Sequence, residues 1–305
     1  MTSGKTNRHI IFFGTEEFSA TSLRTLIEGG FTIAAVVTKP DSKKGRGHKL
    51  VAPTVKIIAQ EHNIPVWQPA KLSDIASRIK SLQPVTGVLV SFGKIIPQTI
   101  INLFNPGIIN VHPSKLPAYR GPSPIESAIL HGDRQTGVSI MQLSAAMDAG
   151  PIYSFAPHDL TGTETQSDLY ETLSDIGATE LMKALPGIIS GELQPTPQDE
   201  PAATYCQLIQ KNDGIIDWNK SAHQLEREIR AYKEWPGSRT MIGTIEVIIT
   251  KAHTEERSSA MMPDSTERLG KQCGDGNWLF IDTLKPIGRK EMPVQAFLTG
   301  YKDRL

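Results

Sequence analysis

Asn110-Val111-His112, followed 36 residues later by the Asp148 of Met-Asp-Ala-Gly, puts two hydrogen-bonding side chains and a carboxylate into a chain with no evident nucleophile. Asn supplies an amide donor and His a donor whose charge is tunable near neutral pH. Together they suit an oxygen that changes from carbonyl to oxyanion. Asp148 can set the charge state of His112 or take a proton through water. A set of this kind supports transfer of an activated group between two bound substrates. A carboxylate before Ala-Gly equally caps a turn, and spacing alone does not bring Asp148 beside His112. The sequence contains no Gly-x-Ser-x-Gly elbow, reactive-cysteine motif or His-Glu-x-x-His pair, which argues against covalent and metal-dependent mechanisms.

The elements that must position these groups are legible in the apolar pattern. In Gly107-Ile108-Ile109-Asn110-Val111-His112 an apolar run passes into a polar-apolar-polar alternation, and the strand period of two places Asn110 and His112 on one face. Upstream, His9 to Phe13 reads as a strand, Glu16 to Glu28 as a helix stopped by Gly29-Gly30, and Phe31 to Thr38 as a second strand. Thr54 to His62 then reads as a helix and Gly87 to Phe92 as a further strand. The alternation predicts an α/β fold, a Rossmann-like, mostly parallel, doubly wound sheet. Ligands in such sheets bind beyond the carboxyl ends of the strands, where Ser91-Phe92-Gly93-Lys94 and Asn110-Val111-His112 both arrive.

After a helix from Ser167 to Ile189, residues 191–201 hold three prolines and few apolar groups, the composition of an extended connection. The expected organisation is a catalytic domain over 1–190, a linker over 191–206 and a C-terminal domain over 207–305. That last part reads as a helix near Ser221 to Ala231 followed by short strands, Thr244 to Thr250 and Trp278 to Leu284 among them, which suggests a small β-barrel. Residues 255–270 are polar enough to form a long loop.

With 32 Lys plus Arg against 32 Asp plus Glu, the chain has no global basic excess, so contact with nucleic acid must rest on a local patch. Such a patch exists in Lys39-Pro40-Asp41-Ser42-Lys43-Lys44-Gly45-Arg46-Gly47-His48-Lys49. Its proline and glycines lead us to expect a flexible loop without regular structure, able to order on a phosphodiester backbone or simply to be solvated. Phe13-Gly14-Thr15 lacks the further glycines of a dinucleotide fingerprint and reads as a strand-to-helix turn. Cys206 and Cys273 have no metal-ligand spacing and fit a reducing compartment. With no apolar run of about 18 residues and no secretory signal, the expected location is the cytoplasm, without membrane contact.

Three segments carry a family resemblance: the run from Asn110 to Ile125, Gly137-Val138-Ser139-Ile140-Met141-Gln142, and Met147-Asp148-Ala149-Gly150. Together they resemble the folate-dependent formyltransferases. The basic loop, Asp213-Gly214-Ile215-Ile216-Asp217-Trp218, and Ile229-Arg230-Ala231-Tyr232 leading to Trp235-Pro236-Gly237 are similar to the branch of that family that acts on tRNA. The resemblance runs from Ile10 to about Tyr301. It implies 10-formyltetrahydrofolate as co-substrate, methionyl initiator tRNA as acceptor, no metal, and a monomer. It also implies that Asn110 and protonated His112 stabilise a tetrahedral oxyanion while Asp148 supports His112 and assists proton removal.

The same resemblance implies folate contacts from Ser114, Lys115, Leu116 and Pro117, with Lys115 in place of the usual leucine, and from Phe92, Gly93, Lys94, Ile95, Ile96 and Pro97. Pro113 replaces the more common glycine and stiffens the local turn. Arg46 matches the basic residue used near the tRNA acceptor end, with Lys43, Lys44 and Lys49 as accessory candidates. The C-terminal region resembles a barrel of the oligonucleotide-binding type, although residues 206–305 hold 15 Lys or Arg and 14 Asp or Glu, so any cationic stripe there is local. Two other branches share the trio: formyltransferases acting on nucleotide-sugar amines, and domains that hydrolyse or process formyltetrahydrofolate within larger proteins. The basic loop, and a chain that ends just after the barrel, favour the tRNA branch. An RNA-binding protein without catalysis would not need the trio.

Overall fold

The computed structural model describes residues 9–44, 49–256 and 268–304. In chain order its principal elements are β1 (His9–Gly14), α1 (Phe18–Glu28), β2 (Ile33–Val37), β3 (Ser42–Lys44), β4 (Lys49–Val51), α2 (Thr54–Glu61), β5 (Val66–Trp67), α3 (Ala76–Ser81), β6 (Val85–Val90), α4 (Gln98–Ile101), β7 (Ile108–His112), α5 (Pro124–His131), β8 (Gln135–Gln142), β9 (Ile152–Asp159) and α6 (Gln166–Ser190). There follow α7 (Ala222–Ala231), β10 (Ser238–Ile242), β11 (Ile245–Glu255), β12 (Gly270–Gln272), β13 (Trp278–Pro286), β14 (Met292–Pro293) and α8 (Val294–Gly300). The chain divides into two compact units. One holds residues up to 121 together with 136–159 and 170–205; the other holds 122–135, 160–169 and 206 onward. The division is therefore not sequential: α5, although it follows the β7 loop directly, packs on α7 in the second unit.

The first unit is built on a seven-stranded sheet of order β5-β2-β1-β6-β7-β8-β9. Strands β1, β2, β6 and β7 are parallel, and their apolar runs are buried on both faces, as a sheet covered by helices requires. Strand order reverses beside β1, with β2 on one side and β6 on the other, so the carboxyl ends of these strands border the crevice of a doubly wound sheet. Two glycines allow close packing near the site strand. A Cβ on Gly87 of β6 would come 2.7 Å from Ile108, and one on Gly177 of α6 would come 2.8 Å from Val111. Helix α6 thus lies tightly on the face of β7 that Val111 presents, which leaves Asn110 and His112 on the opposite face.

The second unit carries a curled antiparallel sheet of order β10-β11-β13-β12, with β14 added to β13. Its leading helix, α7, begins where Ser221 caps it by accepting from the Gln224 N–H. Leu225 and Ile229, four residues apart, are fully buried against Val247, Ile249 and Leu279. Each contributes about 1.5–3 kcal/mol by burial. No helix among the described residues is long and apolar enough to cross a membrane.

One loop of the second unit has a measurable electrostatic signature. Burial acts to raise the Glu164 carboxyl, but the backbone and hydroxyl of Thr161 and the N–H of Gly162 outweigh it and hold the pKa at about 2, against an ordinary 4.5. A carboxyl lowered by folding stabilises the protein above its unfolded pKa and loses that contribution as the pH falls through the folded value. The expected result for Glu164→Gln is a loss of about 2 kcal/mol at neutral pH, after allowance for solvent screening. Thermal melts of the parent should fall more steeply than those of the variant between pH 4.5 and 2; parallel acid limbs would remove Glu164 from the acid response.

Two expectations are corrected. The basic segment 39–49 is not irregular throughout: Ser42–Lys44 pairs with Lys49–Val51 in an antiparallel ladder, with Lys44 opposite Lys49. Such a ladder needs only backbone hydrogen bonds, and Pro40 falls outside the paired residues. Its root is held by Lys56, whose Nζ lies 2.8 Å from both Asp41 carboxylate oxygens. Arg46 and most of the expected 255–270 loop lie outside the described residues. Of the expected linker 191–206, residues up to 205 belong to the first unit and are docked on it. Ile152 and Thr196 exchange two 2.8 Å backbone hydrogen bonds, and Thr204 bonds to Pro117 and Arg120. Low apolar content gave no hint of this docking, because main-chain hydrogen bonds carry it.

Candidate active site

The trio comes together. Strand β7 ends with Asn110 and His112, each only 5% exposed, and both face the Asp148 carboxylate. Asn110 Nδ2 lies 3.5 Å and His112 Nδ1 3.8 Å from the same oxygen, Asp148 Oδ1. Two side-chain nitrogens therefore face one oxygen atom, and with a hydrogen on each they have the convergence that a developing oxyanion needs. The other ring nitrogen, Nε2, lies 3.1 Å from the Tyr119 carbonyl. A carbonyl can only accept, so Nε2 carries a hydrogen and Nδ1 is the ring nitrogen that faces Asp148.

Asp148 itself is in the left-handed region, with φ 46°, a conformation that Asp tolerates better than most residues. Its Oδ2 accepts from the Gly121 N–H at 2.9 Å, which leaves Oδ1 to face the donors. The turn is closed by Gly150, where a Cβ would fall 1.8 Å from the Gln142 carbonyl oxygen at the end of β8. Strand β8 also sets the loop after β7, since Ser139, paired with His112, donates to the Ser114 carbonyl at 2.7 Å and accepts from the Leu116 N–H at 3.3 Å.

The expected ligand contacts divide. Ser114 is fully buried and donates to the Ala118 carbonyl at 2.7 Å, so its hydroxyl holds the loop. Leu116 is buried, whereas Lys115 is exposed. In the segment after β6, the Phe92 and Ile96 side chains enter the core, Phe92 edge-on to Phe13 at 5.5 Å. They anchor the segment, and only its backbone, Gly93, Lys94, Pro97 and the 85% exposed Ile95 are available to a ligand. Thr15 fastens the same segment by donating to the Phe92 carbonyl, which is the use the Phe13-Gly14-Thr15 turn has here. Lys43 is exposed on β3, and Lys44 and Lys49 occupy the paired strands. Among the described residues no group of three His, Cys, Asp or Glu is placed to hold a metal ion.

Arg120, Gln198 and Ser139 had no role assigned from sequence. Arg120 stands inside the run that carries the family resemblance, and its place before Gly121 was the available signal. Gln198 lies in the proline-rich stretch, where nothing local marks it. A cavity of about 370 Å³ in the second unit is lined by Lys251, His253, Arg268, Phe280 and Asp282, far in sequence from the trio. Two of its lining groups are already paired, His253 with Asp282 at 2.7 Å and Arg268 with Glu255.

Residues 8–185 match the formyl transferase family, and residues 208–302 match the formyl transferase C-terminal domain. A methionyl-tRNA formyltransferase of Pseudoalteromonas translucida is 38% identical over 304 residues, covering 96% of this chain and 94% of its own. One from Myxococcus xanthus is 37% identical, covering 96% and 95%. Among solved structures, an N-formyltransferase from Helicobacter canadensis in complex with folinic acid and dTDP-3-aminofucose has the same fold, with a TM-score of 0.69 at 19% identity over 89% of this chain and 98% of that one. HypX from Aquifex aeolicus has a TM-score of 0.65 at 17% identity over 97% of this chain, which spans 49% of HypX.

Proposed function

The chain belongs to the formyl transferase family, and on that premise we propose that it transfers the formyl group of 10-formyltetrahydrofolate to the α-amine of methionine esterified to initiator tRNA. The observation that carries the acceptor's identity is likeness over almost the whole chain to relatives named methionyl-tRNA formyltransferase. In this reading the neutral amine attacks the formyl carbon, and the carbonyl oxygen takes up negative charge. Asn110 Nδ2 and the His112 Nδ1–H are the two donors for that oxygen. Asp148 Oδ1 supports the charge of His112 and accepts, directly or through water, the proton that the amine gives up. Collapse of the tetrahedral carbon breaks its bond to the folate nitrogen, which leaves with a proton. No covalent enzyme intermediate is required.

Residues 92–97, through their backbone and the side chains of Lys94, Ile95 and Pro97, together with the loop 114–117, form the folate site. Lys115 is the departure from the family pattern and contributes through its exposed side chain or its backbone. Arg46, with Lys43, Lys44 and Lys49, contacts the acceptor end of the tRNA, and residues 207–305 extend the phosphate contact. The enzyme works as a monomer in the cytoplasm, where initiator tRNA is charged.

The test is a choice of acceptor. Incubated with 10-formyltetrahydrofolate and either methionyl-tRNA or an amino-sugar nucleotide, the protein should formylate the tRNA. Its KM for tRNA should rise steeply with added salt, because phosphate contacts release counterions. Formylation of the sugar nucleotide alone, or a KM insensitive to salt, would overturn the acceptor assignment.

A further inference from the structure

Asp148 is held from two directions. Its carboxylate is fixed at Oδ2 by the Gly121 N–H, while its main chain is fixed by a single side chain 50 residues away in sequence. Gln198 Nε2 donates to the carbonyl of Asp148 and to that of Gly150, both at 2.7 Å. An amide nitrogen has two hydrogens, and here each serves one carbonyl of the turn. The Gln198 Oε1 accepts from Arg120 Nε at 3.0 Å and from a terminal guanidinium nitrogen at 2.8 Å. These bonds use the amide fully and leave it one orientation, because a flipped amide would set NH₂ against the guanidinium.

Arg120 is itself immobilised. Its side chain is 1% exposed and forms a bidentate pair with Glu200 at 2.7 and 3.0 Å, and it donates to the Tyr205 hydroxyl at 3.2 Å. The arrangement closes on itself, because Arg120 immediately precedes Gly121. The loop that supports the carboxylate thus also carries the arginine that orients the glutamine.

The segment bearing Gln198 does not need this side chain to stay docked. Main-chain bonds between Ile152 and Thr196, and from Thr204 to Pro117 and Arg120, hold it on either side. What Gln198 adds is confined to the Asp148 turn, where a left-handed residue must present one particular oxygen to Asn110 and His112.

We infer that Gln198, oriented by Arg120, is a positioning residue for group transfer: it sets the Asp148 turn so that Oδ1 faces His112 Nδ1. The inference rests on the reading of Asp148 as the group that supports His112. A displacement of about 1 Å at such a carboxylate costs as much as ~100-fold in rate.

The experiment compares Gln198→Met, which keeps length but removes the amide, with Gln198→Glu, which keeps an acceptor for Arg120 but turns a carboxylate toward two carbonyls. Each is made alone and together with Asp148→Asn, and kcat, both KM values and Tm are measured. Gln198→Met should lower kcat by about 10-fold or more, with both KM values nearly unchanged and only a small shift in Tm. Gln198→Glu should be no better, although the Arg120 contact is retained. In the Asp148→Asn background, Gln198→Met should cost almost nothing further, since groups that act as a unit are not additive.

A full kcat for Gln198→Met, or an undiminished loss on top of Asp148→Asn, would make Gln198 a structural staple and overturn the inference. An Asp148→Asn enzyme with parental turnover would overturn the reading of Asp148 instead, and the two failures are separable because Asp148→Asn is measured alone.

Discussion

Replacing His112 with alanine should lower kcat by about 100-fold or more, the loss expected when a preorganised oxyanion donor is removed from a water-poor site. The ring is 5% exposed, its Nε2–H is committed to the Tyr119 carbonyl, and its Nδ1 shares the Asp148 oxygen with the Asn110 amide. Alanine removes the ring donor that, with the Asn110 amide, would meet the developing oxyanion. Asn110 remains, so residual transfer is expected, and Asn110→Ala combined with His112→Ala should cost less than the product of the two single losses. The substitution also removes the ring's bond to the Tyr119 carbonyl, a stability cost of about 0.5–1.5 kcal/mol. Tm and folate affinity therefore need to be measured with turnover. A folded variant that binds folate normally and turns over within a few-fold of the parent would remove His112 from the chemistry.

Gly150→Ala should damage the fold and the site together. The added methyl carbon would sit 1.8 Å from the Gln142 carbonyl oxygen, and a backbone atom of a paired strand has little room to retreat. Either β8 loses its register near Gln142 or the turn carrying Asp148 moves outward. Overpacking of a fixed backbone costs ~1–3 kcal/mol and occasionally more, and this contact belongs at the upper end. The expected thermal shift is about 5–10 °C downward, on the scale of 2–4 °C per kcal/mol for a unit of this size. Since Gly150 also supplies a carbonyl to Gln198, turnover measured well below the melting point should fall as well. Thermal melts and initial rates of the purified variant check both parts; unchanged stability would mean that β8 yields where its pairing says it should not.

Strands β1, β2, β6 and β7 could be read almost directly, because their signal is local, whereas β5 and β9 were not read. Apolar runs such as Ile10 to Phe13 state their own burial, and the expected Ser167 to Ile189 helix differs by one residue at each end from Gln166–Ser190. The same locality limited the reading elsewhere. Phe92 and Ile96 were expected at a ligand but belong to the core, since an apolar residue in a loop does not state which way it points. The β3–β4 ladder was missed because half of its residues are lysines and its pairing uses only the backbone. Residues 191–205 read as a linker because their docking is carried by main-chain groups and by Arg120, whose partners Gln198 and Glu200 lie 78 and 80 residues away.

For the trio itself, sequence alone determined that Asn110 and His112 share a face, because a period of two is a property of the strand and needs no partner. It also determined that a carboxylate was available, in Met-Asp-Ala-Gly. Only the tertiary structure decided that Asp148 turns one oxygen to those donors and the other to Gly121. That choice depends on the antiparallel register of β8 on β7, on the close approach at Gly150, and on a glutamine held by a buried arginine. Each of these joins residues tens of positions apart, and packing rather than local periodicity brings them together.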